Sequence, residues 1–250
     1  MKQMNAVKLI GAMALVLSMA ANLALADKPG PKIYPPDTFP YGQSYGQWGD
    51  QWWQWAWSMP VTENPLLDET GAWAANGQSG PVWFLAGMTW SYGEPAQHSA
   101  VRTVTIPAGK ALFFPIANSI WVNLPDFGDQ PWSPKQEAFA RNVNTKGVNS
   151  AYDLSCEIDG WAVKGLADYR GRTPQHGEFM VDIPENDIWG LIGFEFPDGS
   201  VFQAGTYGPC VQDGIYLMLA PLAAGQHTIH FAASWSDGNA LDITYYLTVE

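Results

Sequence analysis

The sequence predicts an all-β fold: an antiparallel β-sandwich or jelly roll with a Trp-rich N-terminal helix and one further short helix. Three observations carry this. From Pro81 onward, short runs of β-branched and aromatic residues alternate with Gly, Pro, Asn and Asp clusters. Helical patterns are confined to two short stretches, and no α–β alternation points to a parallel sheet. Charged residues make up only 14% of the 250 residues, against about 25% in average domains, which suits one large apolar core.

The chain begins with Lys2 and Lys8, an uncharged apolar run from Leu9 to Ala21, and Ala24-Leu25-Ala26. This pattern reads as a signal peptide over residues 1–26, cleaved near Ala26, with a periplasmic or extracellular destination. The apolar run falls short of the roughly 20 residues of a spanning helix, so no membrane span is expected. Removing a leader with two lysines and no acid takes the formal charge from −12 to −14. Nucleic acid and anionic lipid need basic residues to neutralise phosphate, so neither is an expected partner.

Residues 27–43 carry Pro29, Pro31, Pro35, Pro36 and Pro40 and read as an extended arm. Residues 44–250 read as one β-sandwich domain. At its start, Ser44 followed by Gln47 forms a capping box, and Pro60 ends the helix it opens. At a 3.6-residue period, Trp48, Trp52, Trp55 and Met59 make one buried stripe. Trp53 and Trp57 lie beside it and border Asp50, on an arc expected to be partly exposed.

Strands follow at Pro81–Gly87, Ala100–Ile106 and Lys110–Ala117, with Pro107-Ala108-Gly109 as a tight turn. Ser133-Pro134 caps a short helix to about Asn142. Asp159-Gly160 and Asp198-Gly199 each suit the left-handed positions of a hairpin turn. Gly214–Ala220, Gln226–Trp235 and Leu241–Val249 complete the strands. In the last two, apolar residues share a face if Phe231 pairs with Tyr245, which sets His230 opposite Tyr246 and Ser234 opposite Asp242. Cys156 and Cys210 either form a disulfide, favoured by export, or are separately buried.

Five segments taken together, WGDQWWQW, NPLLD, GQSGPVWFLAG, RTVTIPAGKALFFPIAN and DGIYLMLAPLAAGQHTIHF, resemble an uncharacterised family of exported bacterial proteins. The resemblance implies export and one compact domain, and brings no catalytic residue. Separately, PLAAGQHTIHF is similar to the penultimate strand of many immunoglobulin-like extracellular domains.

Tryptophan offers a flat face for sugar rings and one N–H donor. Trp73, Trp90 and Trp132 in loops, with Trp53 and Trp57 on the helix, are therefore ligand-binding candidates, and Arg102 could hold an acid or an anionic group. Glu178, Asp182 and Glu195 are candidate carboxyls for glycoside hydrolysis, although an outer polar sheet face explains them as well. Asn123, Asp126 and Asp129 could offer oxygen ligands to calcium, or serve as turn formers. His227 and His230 leave a strand on opposite faces and cannot chelate one ion, and no zinc motif is present. Ser79 in GQSG lacks the nucleophile-elbow spacing. No cofactor is expected. The leading expectation is an exported β-sandwich that binds a carbohydrate or another neutral polymer. A secreted glycoside hydrolase or lyase and a structural or partner-binding envelope protein are the alternatives.

Overall fold

Ser44 opens the first helix, α1 (Tyr45–Trp57), by accepting the Gln47 N–H on its side chain, while the Gln47 side chain accepts the Ser44 N–H in return. The computed structural model describes residues 30–89, 96–125, 128–191 and 203–250. The signal peptide, Trp90, Asp126, Glu195 and the Asp198-Gly199 turn lie outside the described residues. Lys32–Glu250 form one compact unit.

Two further helices are described, α2 (Pro134–Asn149) and the four-residue α3 (Ile188–Leu191). Ten strands are described: β1 (Val82–Phe84), β2 (Gln97–Ile106), β3 (Ala111–Val122), β4 (Ala151–Ile158), β5 (Trp161–Ala162), β6 (Arg170–Arg172), β7 (Phe179–Ile183), β8 (Gly205–Leu219), β9 (Gly225–Trp235) and β10 (Ala240–Val249). One sheet runs β1-β3-β8-β6, with β7 also on β8; the other runs β2-β10-β9-β4-β5.

Both sheets are mixed, which corrects the antiparallel expectation. β1 lies parallel to β3, and β2 lies parallel to β10. The Pro107–Gly109 turn is the cause. It does not close a hairpin but carries the chain from one sheet to the other, so β2 finds its partner in the C-terminal strand. By contrast, Asp159-Gly160 does form the predicted hairpin, with positive φ at both residues and Ile158 opposite Trp161.

Alternation along β3 sends Leu112 and Phe114 to one side and Phe113 to the other. The first side meets Phe231, Ile243 and Tyr245 of the second sheet in a shared core. The second meets α1, where Trp48, Trp52 and Trp55 pack with Phe113, Tyr216 and Met218. The predicted tryptophan stripe is thus buried, against this chain's own sheet. Helix and strand approach closely at Gly46, where a Cβ would stand 1.8 Å from the Arg172 carbonyl oxygen.

Two local expectations, the end of the second helix and the register of the last two strands, are corrected, and two open readings are filled in. The proline-rich arm is pinned to the sheet: Ile33 bridges Leu219, and Tyr34 N–H donates to the Met218 carbonyl at 2.9 Å. Helix α2 continues past Asn142 through Gly147, where a side chain would crowd Ser119 Oγ on β3. The β9–β10 register is shifted by two residues, with Phe231 opposite Ile243 and His230 opposite Thr244, and Ser234 opposite Ala240. A two-residue shift keeps every side chain on its face, so the apolar pattern is indifferent to it. Of the two readings of the cysteines, separate burial is the one found, with both thiols free. Cys156 is buried between the sheets and Cys210 in the core under α1, on opposite faces of the first sheet.

Candidate functional site

Strand β3 outruns its neighbour. Beyond Phe113 it leaves β1 behind, and its residues 115–122 border a cavity of about 600 Å³. Trp52, Trp53 and Trp57 reach this cavity from α1, Trp121 from β3, Trp189 from α3 and Trp235 from the end of β9. Those six indoles come from four elements far apart in sequence. The helix supplies three because its two tryptophan stripes are adjacent, so the edge of the helix faces the cavity while its centre faces the sheet.

The rings brace one another. Trp52 and Trp53 meet edge-to-face at 5.1 Å, Trp53 and Trp57 at 5.0 Å, and Trp57 and Trp189 at 5.0 Å between centroids. Trp52 is further fixed by its N–H, which donates to the Leu85 carbonyl at 3.0 Å. Trp53 Nε1, Trp121 Nε1 and Asn118 Nδ2 are buried with no hydrogen-bond partner. Trp53 and Asn118 lie toward the Tyr216 hydroxyl, where burial raises the phenol pKa and these two oppose the rise, yet neither reaches bonding geometry. Among the described residues, no Lys, Arg or His lines the cavity, and the carboxylates that do are Asp129 and Asp237. Each of these accepts a main-chain N–H, from Leu124 at 2.8 Å and from Asn239 at 3.0 Å.

Beneath α1 runs a polar seam. Asp50, expected on a solvent arc, is 6% exposed. Burial pushes its carboxyl up to about 7, against the opposing hydrogen bonds of Thr173 and Gln212. Thr173 Oγ1 donates to Asp50 at 2.6 Å and accepts the Gln212 N–H at 2.8 Å. Gln212 donates to the Gly46 carbonyl and accepts the Tyr216 hydroxyl at 2.8 Å, so the seam ends beside the cavity wall.

Of the residues singled out from sequence, Trp53, Trp57 and Asp129 line the cavity, whereas Trp73, Trp132 and Arg102 do not. Arg102 is 1% exposed and structural. It donates to the carbonyls of Asp68, Ala86, Pro65 and Gly87 and to the Tyr245 hydroxyl, at 2.5–3.1 Å. Asn123 is buried and its side-chain oxygen has no partner. Asp182 is exposed on β7 and accepts from Thr206 Oγ1 at 2.6 Å.

Glu178 meets different neighbours from those expected. One ligand atom each from Glu137, His176 and Glu178 lie within 4.8 Å of one another. Such a set could hold a divalent ion. Arg141 already donates to Glu137 at 2.7 Å, and against a burial effect that acts upward this contact holds the Glu137 carboxyl below its usual value. The cluster lies away from the cavity. No sequence motif announces it, because Glu137 sits on α2 and the other two in a distant loop.

No family model matches the chain, and no curated protein matches it. Among solved structures, the chain is similar to the solution structure of amebosin, at 13% identity, over 62% of this chain and 99% of that one, with a TM-score of 0.18. That likeness carries no argument about fold or function.

Proposed function

We propose that this protein is an exported β-sandwich that binds a neutral saccharide in the indole-lined cavity. The observation that carries this is the lining itself: six tryptophans around about 600 Å³, with no basic side chain among the described lining residues. The volume falls within the roughly 300–1,000 Å³ of small-ligand pockets. Indole faces suit the axial C–H faces of pyranose rings. The presence of Asp129 and Asp237, with no cation beside them among the described residues, disfavours an anionic ligand. The site differs from the one expected, being built from helix and strand ends rather than from the loop residues Trp73 and Trp132. The hydrolase alternative draws no support from Glu178 and Asp182, neither of which borders the cavity. The partner-binding alternative loses its motive, since α1 is buried within its own chain.

A glycan array probed with the protein lacking residues 1–26 tests this, followed by titration monitored by tryptophan fluorescence. Wild type is expected to bind neutral glycans, with Trp53→Ala and Trp121→Ala weakening binding about tenfold or more, as for loss of one aromatic contact. An array silent for every neutral glycan sinks the proposal.

A further inference from the structure

One wall of the cavity is main chain. Strand β3 pairs with β8 along Leu112–Val122, yet with β1 only along Ala111–Phe113. Residues 115–122 therefore present an edge with no neighbouring strand among the described residues, and all of them border the cavity. Along a strand, successive residues turn their N–H and C=O groups to opposite sides. Phe113 faces the β1 side, accepting from Leu85 N–H at 3.0 Å, and Asn123 faces the β8 side, donating to the Pro209 carbonyl at 3.0 Å. The register shift between Pro115 and Ala117 reverses the alternation between these points. It leaves Asn118, Ile120 and Val122 with both main-chain groups aimed at the open edge.

These groups have no main-chain partner among the described residues. An unpaired edge in apolar surroundings is costly and offers hydrogen bonds to whatever fills the cavity. A secondary amide is the ligand group that matches it, because it carries one N–H and one C=O in fixed opposition, as a neighbouring strand does. A long peptide strand fits less well: Pro115 has no N–H, and the bulge interrupts the ladder. The surrounding indoles favour rings.

We infer that the ligand is an uncharged N-acylated amino sugar, its acyl-amide seated on the β3 edge at Asn118–Val122 and its rings on the indoles. This rests on the saccharide reading of the cavity and narrows it. Sugars that also carry a carboxylate are disfavoured by Asp129 and Asp237, with no cation in the lining among the described residues.

The test is calorimetric titration of the protein with N,N′-diacetylchitobiose and with cellobiose, which share ring and linkage and differ at C2 in acetamido against hydroxyl. Diacetylchitobiose is expected to bind about 10–100-fold tighter, as for one or two added neutral hydrogen bonds. Ile120→Pro removes one edge N–H that the β8 ladder does not use, and it should weaken diacetylchitobiose binding more than cellobiose binding, so that most of the preference is lost. Should that variant misfold, amide resonances of Ile120 and Val122 in the wild-type protein must shift on adding diacetylchitobiose more than on adding cellobiose. Equal affinities overturn the inference and leave the saccharide reading standing. Binding of other neutral glycans with neither disaccharide bound overturns it too. If an N-acetylated tripeptide binds while every saccharide is silent, both readings fall and the edge is a peptide site.

Discussion

Replacing Arg102 with lysine probes the joint that holds one side of the cavity. All five guanidinium donor contacts are made, four to main-chain carbonyls and one to the Tyr245 hydroxyl. Tyr245 passes the connection on, donating to the Ala86 carbonyl at 2.8 Å and accepting the Ala86 N–H at 3.0 Å. Arg102 thus ties residues 65–68 and 86–87 to the β2–β10 pair, and Leu66 and Gly87 at those ties line the cavity. Lysine keeps the charge but has at most three donors. At least two of the five buried hydrogen bonds from a charged donor are then lost, although the Ala86 carbonyl and the Tyr245 hydroxyl keep each other, and each such loss costs about 1–3 kcal/mol. The expected destabilisation of Arg102→Lys is therefore about 2–6 kcal/mol, a large part of the roughly 5–15 kcal/mol that holds a domain folded. Urea unfolding followed by tryptophan fluorescence measures it. With a slope of about 1–3 kcal/mol per molar, the midpoint should fall by roughly 1 M or more. A loss below about 1 kcal/mol with an unchanged slope would refute the reasoning, because it would mean that water or repacking satisfies those carbonyls at little cost.

Asp50 predicts a pH effect of definite sign. Its folded carboxyl titrates at about 7 rather than 3.8, so between those values the folded protein holds the extra proton and stability falls as pH rises, by roughly 1.36 kcal/mol per unit. The gap in unfolding free energy between wild type and Asp50→Asn should change by about 3 kcal/mol from pH 4 to pH 7, and a constant gap refutes the assignment. Gly46→Ala places a methyl on the Arg172 carbonyl, and should cost about 3 kcal/mol or more in the same urea assay; a cost near that of an ordinary surface substitution contradicts the contact. Burial raises the Cys156 thiol to about 12 and the Cys210 thiol higher still, so neither should react with a thiol reagent in the native protein while both react in denaturant. Fewer than two titratable thiols after denaturation would mean that a bond forms between them.

Local chemistry was legible in the sequence, and long-range pairing was not. Ser44 and Gln47 announce the capped helix because both bonds of a capping box are local. Trp48, Trp52, Trp55 and Met59 read as buried because a period of 3.6 suffices to put them on one face. Asp50 misleads on the same wheel. A polar arc normally means solvent, but here it meets Thr173 and Gln212 on the sheet, partners more than a hundred residues away. The slip between Phe231 and Ile243 has another origin. A period-2 pattern fixes the face and not the register, which is set by the turn, where Trp235 N–H donates to the Asn239 carbonyl and Asn239 N–H to the Asp237 carboxylate.

The cavity is the extreme case of this limit. Its indoles belong to α1, β3, α3 and the end of β9, and only the fold brings them together. Sequence reasoning favoured Trp73 and Trp132 because loops often carry binding sites, yet here the space arises where an element ends early: β1 stops pairing at Phe84 while β3 continues to Val122. A strand partner that is too short leaves both a gap and an unpaired edge, so one mismatch of strand lengths produces the void and the hydrogen-bonding groups that face it. The recognisable signal was the disparity between a three-residue and a twelve-residue strand. It becomes readable only when their pairing is known, and parallel pairing between strands that do not form a hairpin leaves no mark on the local pattern.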